Sequence, residues 1–493
     1  MKSRSAVEPG YEWVALSVTT VGALLASVQS SALLIALPSL MAELHAGFLT
    51  AMWVLLGYLL ITTATVPVIG RLADMFGRKN LYNAGFAVFT LGSLLAGLAQ
   101  PRFEGLDLVA FRMVQGVGGA LLITNSTAIV TDAFRRGRVG LGLGVNQIAA
   151  IAGFLIGPVV GGLLTALSWR WVFLVNVPLG VFGTLWAMRR LREPVALPAG
   201  QTFDWPGSLA FTIGLGTLLV ALSLLAFPML SMTFVAVMLA IAVAGFAVFV
   251  LVEGRQAQPV LDPRLFRNLL FAFAVAANAL NGLARGAVLF LLTFFLQGPY
   301  GQDPLVAGLM LAPFGAAFLV VGPISGYLSD RYGSRELATI GLAVSALGLL
   351  GLSTVTVTTP YWLLALYMAV VGGGSGFFSS PNTNAIMTSV PPERRGTASG
   401  TRLMLGNTGQ VLSIAIAFPL VLSKIPQDVM MHVFLYGGGL GGEPSVLAAF
   451  QSGLHLAFLF SFAVTLIAAV VSFLRPSQRP LPDGERRFVH GDS

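Results

Sequence analysis

Apolar stretches of roughly 20 residues or more recur along this chain, broken by short polar turns, and a helix of about that length spans the hydrocarbon core of a bilayer. Candidate stretches lie at 13–39, 49–70, 80–99, 106–131, 139–166, 171–191, 205–226, 229–252, 269–297, 305–329, 336–356, 360–388, 396–424 and 448–474. Of the 493 residues, 56% are hydrophobic and 10% charged. So little charge could not cover a soluble protein of this length. The fold class that follows is an all-α polytopic membrane protein with fourteen transmembrane helices. The first stretch exceeds a signal-peptide core and many others follow it, so it reads as a retained helix.

The net charge of +8 would suit a nucleic-acid binder, but its distribution does not. The basic residues fall in alternate short loops. Lys2 and Arg4 precede the first stretch, and Arg71, Arg78 and Lys79 follow the second. Arg135, Arg136 and Arg138 come next, then Arg189, Arg190 and Arg192, then Arg255, Arg264 and Arg267. Arg331, Arg335, Arg394 and Arg395 continue the series, and Arg475, Arg479, Arg486 and Arg487 close it. The opposite loops carry Arg102, Arg170 and Lys424. The positive-inside bias therefore predicts cytoplasmic termini in a multi-pass protein of the cell's inner or plasma membrane. The chain has no cysteine, which excludes disulfides, thiolate metal sites and thiol nucleophiles.

Between the second and third stretches, Gly70 to Asn80 reads G-R-L-A-D-M-F-G-R-K-N. Gly326 to Arg335 reads G-Y-L-S-D-R-Y-G-S-R. Gly70, Leu72, Asp74 and Gly77 match Gly326, Leu328, Asp330 and Gly333 at one offset of 256 residues, the difference between 326 and 70. A second pair, N-S-T-A-I-V-T at 125–131 and N-T-N-A-I-M-T at 382–388, lies at nearly the same spacing. A charged turn repeated in two halves of an apolar chain points to a duplicated membrane transporter. The offset exceeds half the length, so material lies between the halves. The organisation expected is a tail at 1–12, a six-helix bundle at 13–191, an inserted helix pair at 205–252, a second six-helix bundle at 269–474 and a tail at 475–493. The inserted pair is nearly free of polar side chains, turns at Phe227-Pro228 and reads as lipid-facing filler. The segment 425–447 mixes Asp428, His432 and Glu443 with an apolar run and five glycines, and is expected to be an interfacial loop with a hinge, or an outer lid.

Further motifs carry a family resemblance. Phe111-Arg112-Met113-Val114-Gln115-Gly116 is followed by Gly118 and Gly119; Gly153, Gly157, Pro158, Gly161 and Gly162 fall in the fifth stretch. Trp169-Arg170-Trp171-Val172-Phe173 precedes Asn176 and Pro178, and Phe203-Asp204-Trp205-Pro206-Gly207 opens the inserted pair. With the 70–80 loop, this ordered set resembles the major facilitator superfamily, in particular its fourteen-helix drug:proton antiporter branch. The resemblance implies two six-helix bundles, alternating access and proton-coupled export. It implies a cytoplasmic gate of Gly70, Asp74, Gly77, Arg78, Gly326, Asp330 and Gly333, with Asp74 reaching the start of the thirteenth helix near Gly396 and Thr397. It implies a conformational role for Arg112, Gln115, Gly153, Gly157, Pro158 and Gly161. In physical terms, Gly153, Gly157 and Gly161 share one helix face and admit a neighbouring backbone, while Pro158 removes a donor and bends the helix.

Charges inside membrane helices cost at least ~2.5–3.5 kcal/mol, so they should face a cavity or a partner. Arg112, Arg285 and Arg402 fall inside predicted helices. Arg285 is equivalent to Gln29 under the repeat, and both are expected in a central cavity with Asn278 and Asn281. Arg402, near a helix end, could instead snorkel. One departure matters. The branch commonly carries an aspartate in helix 1 before A-L-P; here Ala36-Leu37-Pro38 is present and the matching residue is Gln29. No Asp or Glu occupies the middle of any predicted helix. Glu43, Asp107, Asp132 and Asp303 lie near ends, and His455 is a further titratable group.

The expected function is a secondary active exporter of small amphipathic compounds. The alternatives are an exporter of anionic or lipid-like substrates, an uncoupled facilitator, and a membrane sensor that has lost transport. No enzyme is expected, since metal-ligand spacings, nucleophile elbows and ATP-binding loops are lacking. The expected partners are the lipid bilayer, the substrate and, by the resemblance, protons. No cofactor, metal or nucleic acid is expected, and a monomer is.

Overall fold

The structure is a computed structural model that describes residues 10–46, 48–134, 138–193, 203–226, 232–253, 263–302, 304–422 and 444–476. Among these residues every regular element is helical. The first half contains α1 (Tyr11–Leu44), α2 (Phe48–Phe76), α3 (Arg78–Gly97), α4 (Leu106–Ala133), α5 (Val139–Leu167), the short α6 (Trp171–Leu174) and α7 (Asn176–Arg190). Then come α8 (Trp205–Ala226) and α9 (Met232–Glu253). The second half contains α10 (Leu269–Arg285), α11 (Val288–Gln297), α12 (Pro304–Met310), α13 (Ala312–Tyr332), α14 (Ser334–Leu352), α15 (Tyr361–Thr388), α16 (Arg395–Leu422) and α17 (Pro444–Leu474).

Each of the fourteen expected stretches falls on a helix or a broken helix pair. Among the described residues, 11 helices are long and apolar enough to cross a membrane. The three other expected spans lie on α3, α5 and α16. Along α16, Arg402, Asn407 and Gln410 interrupt the apolar sequence for a reason that emerges below. The span expected at 269–297 is broken after Arg285. At Gly286 a Cβ would lie 2.5 Å from the Cα of Gln410, so α16 crosses the break at backbone contact. Most of 425–447 lies outside the described residues. So do the tails 1–9 and 477–493, with their basic residues, and Arg135, Arg136, Arg255, Asp303, Lys424 and the Phe227-Pro228 turn.

Backbone contact is the common packing device, as expected where lipid leaves no hydrophobic drive between helices. On α3 and α4, a Cβ at Gly92 would lie 2.6 Å from the Gln115 nitrogen, and one at Gly118 would lie 2.3 Å from the Phe89 nitrogen. The same interlock recurs on α14 and α15 at the 256-residue offset: Gly348 against the Val371 nitrogen at 2.8 Å, Gly374 against the Ser345 nitrogen at 2.4 Å. The duplication is therefore one of packing as well as of loops.

The inserted pair is not all filler. On α9, Val243 is 69% and Val250 66% exposed, as for a lipid-facing helix. On α8, however, Phe211, Leu215 and Leu219 are buried in one cluster with Leu60, Val66 and Ile69 of α2 and Met404 and Val411 of α16. That helix bridges the two halves, which corrects the lipid-facing reading. Periodicity could not reveal this, because a helix apolar all round gives no sign of which side meets protein.

The helix-5 glycines seat α5 on α1. A Cβ at Gly153 would lie 2.9 Å from the Leu24 carbonyl oxygen, and one at Gly161 would lie 2.6 Å from that of Ala32; at Gly157 it would collide with Ser31 Oγ. Nothing lies within 4 Å of a Cβ at Gly162. The side chain of Pro158 lies outside the described residues. Gly161→Leu is therefore expected to lower the melting temperature of the detergent-solubilised protein or abolish its monodisperse peak, since overpacking of this kind costs about 1–3 kcal/mol. Gly162→Leu should leave both unchanged; equal effects would refute the α1–α5 seat.

Candidate functional site

Two carboxylates join the two halves at one end of the molecule. Asp74, on the last turns of α2, accepts hydrogen bonds from the backbone nitrogens of Gly396 and Thr397 at 2.8 Å each and from Thr397 Oγ1 at 2.8 Å. These are the first, unpaired N–H groups of α16, where the helix dipole also favours an anion. The approach depends on glycine: a Cβ at Gly70 would lie 2.5 Å from the Gly396 carbonyl oxygen, and one at Gly396 would lie 2.5 Å from that of Gly70. Gly77 has φ 92°, a left-handed conformation that L residues rarely adopt, and it starts α3 so that Arg78 folds back on the gate.

Arg78 is buried and donates to Asp74 Oδ1 at 3.0 Å, to the Pro392 carbonyl oxygen and to Asp132 Oδ2. Arg395, at the start of α16, donates to the other oxygen of Asp132 at 2.7 Å. The network thus runs from α2 through α3 and α4 to α16. Asp132 is its hub, and sequence reasoning missed that role because it stands two residues from a break in helical pattern.

The repeat builds the same contact on the other side. Asp330, at the end of α13, accepts from the backbone nitrogens of Gly140 at 3.0 Å and Leu141 at 3.2 Å, the first turn of α5, and from Asn384 Nδ2 at 3.1 Å. A Cβ at Gly326 would lie within backbone contact of Gly140, and Gly333 has φ 93°. Each half therefore sends a carboxylate to the start of a helix in the other half.

Arg112 and Gln115 stand apart from this gate. Arg112 Nε donates to the Val54 carbonyl oxygen at 3.1 Å, its guanidinium lies 4.5 Å from the Tyr58 ring centroid, and it also donates to Gln115 Oε1. Gln115 Nε2 donates to Ser93 Oγ at 2.7 Å. The pair ties α4 to α2 and α3.

Between the halves lies a cavity of about 200 Å³. Its wall includes Ala23 and Ser27 of α1, Ser126 and Thr127 of α4, Asn146 and Gln147 of α5, Asn278, Asn281 and Arg285 of α10, Phe378 of α15, and Arg402, Asn407 and Gln410 of α16. Arg402 Nη2 donates to Thr127 Oγ1 at 3.3 Å, and Asn278 Nδ2 donates to the Arg402 carbonyl oxygen at 2.9 Å. Asn278, Asn281 and Arg285 thus lie where the sequence places them. Gln29 does not. It is buried, and its Oε1 accepts from Asn176 Nδ2 on α7. Gln29 follows Ser27 by two residues, about 200° around the helix, so the side of α1 that faces the cavity turns Gln29 away from it. Sequence reasoning missed Asn407 and Gln410 on α16 and Asn146 and Gln147 on α5; polar side chains spaced along an otherwise apolar helix are the signal that could have found them. No Asp or Glu is among the described residues of the wall.

A family model for the Major Facilitator Superfamily matches residues 19–414 and 274–490. Multidrug resistance protein Stp of Mycobacterium tuberculosis (strain CDC 1551 / Oshkosh) is 34% identical over 415 residues, 81% of this chain and 76% of that protein. The chain belongs to the Major Facilitator Superfamily. Riboflavin transporter RibZ of Clostridioides difficile (strain 630) is 29% identical over 386 residues, 78% of this chain and 83% of that protein. Among solved structures, the proton:xylose symporter XylE bound to 6-bromo-6-deoxy-D-glucose shares the fold at a TM-score of 0.64 and 15% identity, over 96% of this chain and 97% of that one.

Among the described residues of this major facilitator transporter, the other titratable groups singled out in the sequence, Glu43, Asp107 and His455, sit away from the cavity. Asp107 accepts from the Gln100 and Leu108 nitrogens at 2.8 Å. Glu43 pairs with Arg170 and accepts from Trp169 Nε1 at 2.9 Å. His455 Nε2 lies 2.7 Å from the Val355 carbonyl oxygen. Glu193, beyond α7, accepts from the Lys79 nitrogen at 3.0 Å, and burial pushes its carboxyl above the usual range.

The gate geometry generates a direct test. Ser399 on α16 is fully buried and donates to the Thr124 carbonyl oxygen on α4 at 2.9 Å. In this cysteine-free chain, Ser399→Cys reports opening through labelling by a water-soluble maleimide. A charge-assisted hydrogen bond contributes ~1.5–3 kcal/mol, so Asp74→Asn should raise the labelling rate by roughly ten-fold or more. Asp330→Asn should act in the same direction by a smaller factor, since no arginine pairs with Asp330 among the described residues. An unchanged rate in either variant would remove that carboxylate from the gate.

Proposed function

We propose that this transporter exports small amphipathic compounds across the inner or plasma membrane by alternating access. The observation that carries the reading is the pairing of a central cavity with two cross-half contacts at one end. Arg71, Arg78, Lys79, Arg138, Arg331, Arg335, Arg394 and Arg395 all belong to that end, and the positive-inside bias makes it cytoplasmic. In this conformation the cytoplasmic gate is shut. Releasing Asp74 from α16 and Asp330 from α5 opens the cavity to cytoplasmic substrate; reforming both contacts closes it behind the substrate.

The wall supports the substrate class. Ala23, Ile123, Ala150 and Leu403 give it apolar surface, and amide and hydroxyl groups give it a few directed polar contacts. The multidrug name of one relative and the riboflavin name of another both fit amphipathic, partly aromatic cargo. Cells lacking their own efflux pumps, loaded with a panel of fluorescent amphipaths of positive, zero and negative charge, test the reading. Expression should lower steady-state accumulation of at least one dye by about three-fold or more, and Gly396→Leu, which fills the gate contact, should restore it. Identical accumulation of the whole panel, with folded protein in the membrane, would contradict export.

A further inference from the structure

The cavity wall carries two arginines with no carboxylate beside them among the described residues. Arg402 is 7% exposed; among the described residues its Nε has no hydrogen-bond partner, and its Nη2 donates to the neutral Thr127 hydroxyl. Arg285 has no hydrogen-bond or ion-pair partner among the described residues. Other buried arginines of the chain are treated differently. Arg78 holds two carboxylates. Arg112 holds a backbone carbonyl and Gln115, and Arg475 donates to Asn382 Oδ1 at 3.0 Å and to the Ser334 carbonyl oxygen. A guanidinium stays charged in any protein setting, and leaving one in a membrane cavity without an anion is costly.

We propose that the cavity binds amphipathic organic anions, with Arg285 and Arg402 as the two cationic contacts for a carboxylate or sulfonate and Ile123 and Leu403 as apolar surface for the ring. The proposal rests on the exporter reading and names its substrate class. The planar guanidinium fork fits a carboxylate or sulfonate through two parallel N–H···O bonds, and Asn281, Asn407 and Gln410 supply neutral donors around it. A cation placed there would meet two like charges and no counter-charge.

The same arrangement removes the need for a coupled proton. The described wall residues contain no Asp, Glu, His, Lys or Tyr, so nothing on the wall exchanges a proton for cargo. An anion leaving a compartment held negative inside runs down the membrane potential, and about 100 mV sustains a gradient of roughly 50-fold for one charge. Export of a monoanion is thereby driven by the potential alone.

Two rigid probes with fixed and opposite charges on one ring system test this: 1-naphthalenesulfonate and (1-naphthylmethyl)trimethylammonium. Each is loaded into proteoliposomes containing the full chain, and release is followed with a potassium–valinomycin potential, a pH gradient, or neither. The sulfonate should leave faster by roughly five-fold or more under an inside-negative potential of about 100 mV and be indifferent to the pH gradient, while the cation stays inside. Arg285→Gln and Arg402→Gln should each cut sulfonate release by about ten-fold or more. Should Arg402→Gln fail to fold, Arg402→Lys keeps the charge, loses the fork and is expected to retain part of the rate. Release of the cation alone, driven by the pH gradient, would overturn the anion site while leaving the exporter reading intact. Release of neither probe by folded protein would overturn both. Full sulfonate release by folded Arg285→Gln and Arg402→Gln variants would also overturn the site.

Discussion

Everything at the closed end depends on a carboxylate meeting the unpaired N–H groups at the start of a helix from the other half. A helix start offers bare N–H donors and the positive end of its dipole, and a carboxylate can reach them only where the two backbones touch. At Gly70 and Gly396, and again at Gly326 and Gly140, the absence of Cβ atoms makes that approach possible. When the halves separate, water can replace every one of these hydrogen bonds. The net preference for the joined arrangement is therefore the difference between buried hydrogen bonds within the protein and hydrogen bonds to water. In the Arg78–Asp132–Arg395 relay the Asp132–Arg395 pair joins the two halves, and removing one partner would leave the largely buried Asp132 short of a counter-charge.

The membrane-embedded part follows another logic. With no hydrophobic drive between helices, the halves hold together internally by glycine interlocks, α3 on α4 and α14 on α15, that are rigid and repeated. The cavity lies beside such a contact, since Gly282 of α10 and Gly406 of α16 in its wall meet at backbone distance. There the helices present Asn, Gln and Arg side chains that water or cargo can satisfy. The bridging helix α8 contacts α2 and α16, the two helices that also form the Asp74 contact.

Much of this was legible in the sequence, for identifiable reasons. The helices were legible because apolar length is a direct requirement of the bilayer. The carboxylate loops were legible because a charge between two glycines recurs at one offset. Gly140 was harder to see as a gate partner: its role is set by the facing Gly326 backbone, not by a local pattern. Gln29 shows where the repeat misleads. Equivalence under duplication places a residue at the same depth as Arg285, but helix rotation differs, and Asn176 offers a hydrogen bond on the side away from the cavity. Arg402 was read as a residue able to snorkel to a helix end; the facing Thr127 and the cavity wall hold it inside instead.

The central claim is that Asp74 holds the two halves together at the Gly70–Gly396 contact. The absence of native cysteine allows spin labels to be placed at Asn80→Cys and Glu393→Cys, two exposed positions flanking that contact. Pulsed electron–electron resonance in lipid nanodiscs then reads the distance distribution. The short, closed distance should dominate in the otherwise native chain, and Asp74→Asn should move most of the population to a longer one. An unchanged short-distance distribution in the folded Asp74→Asn protein would contradict the account.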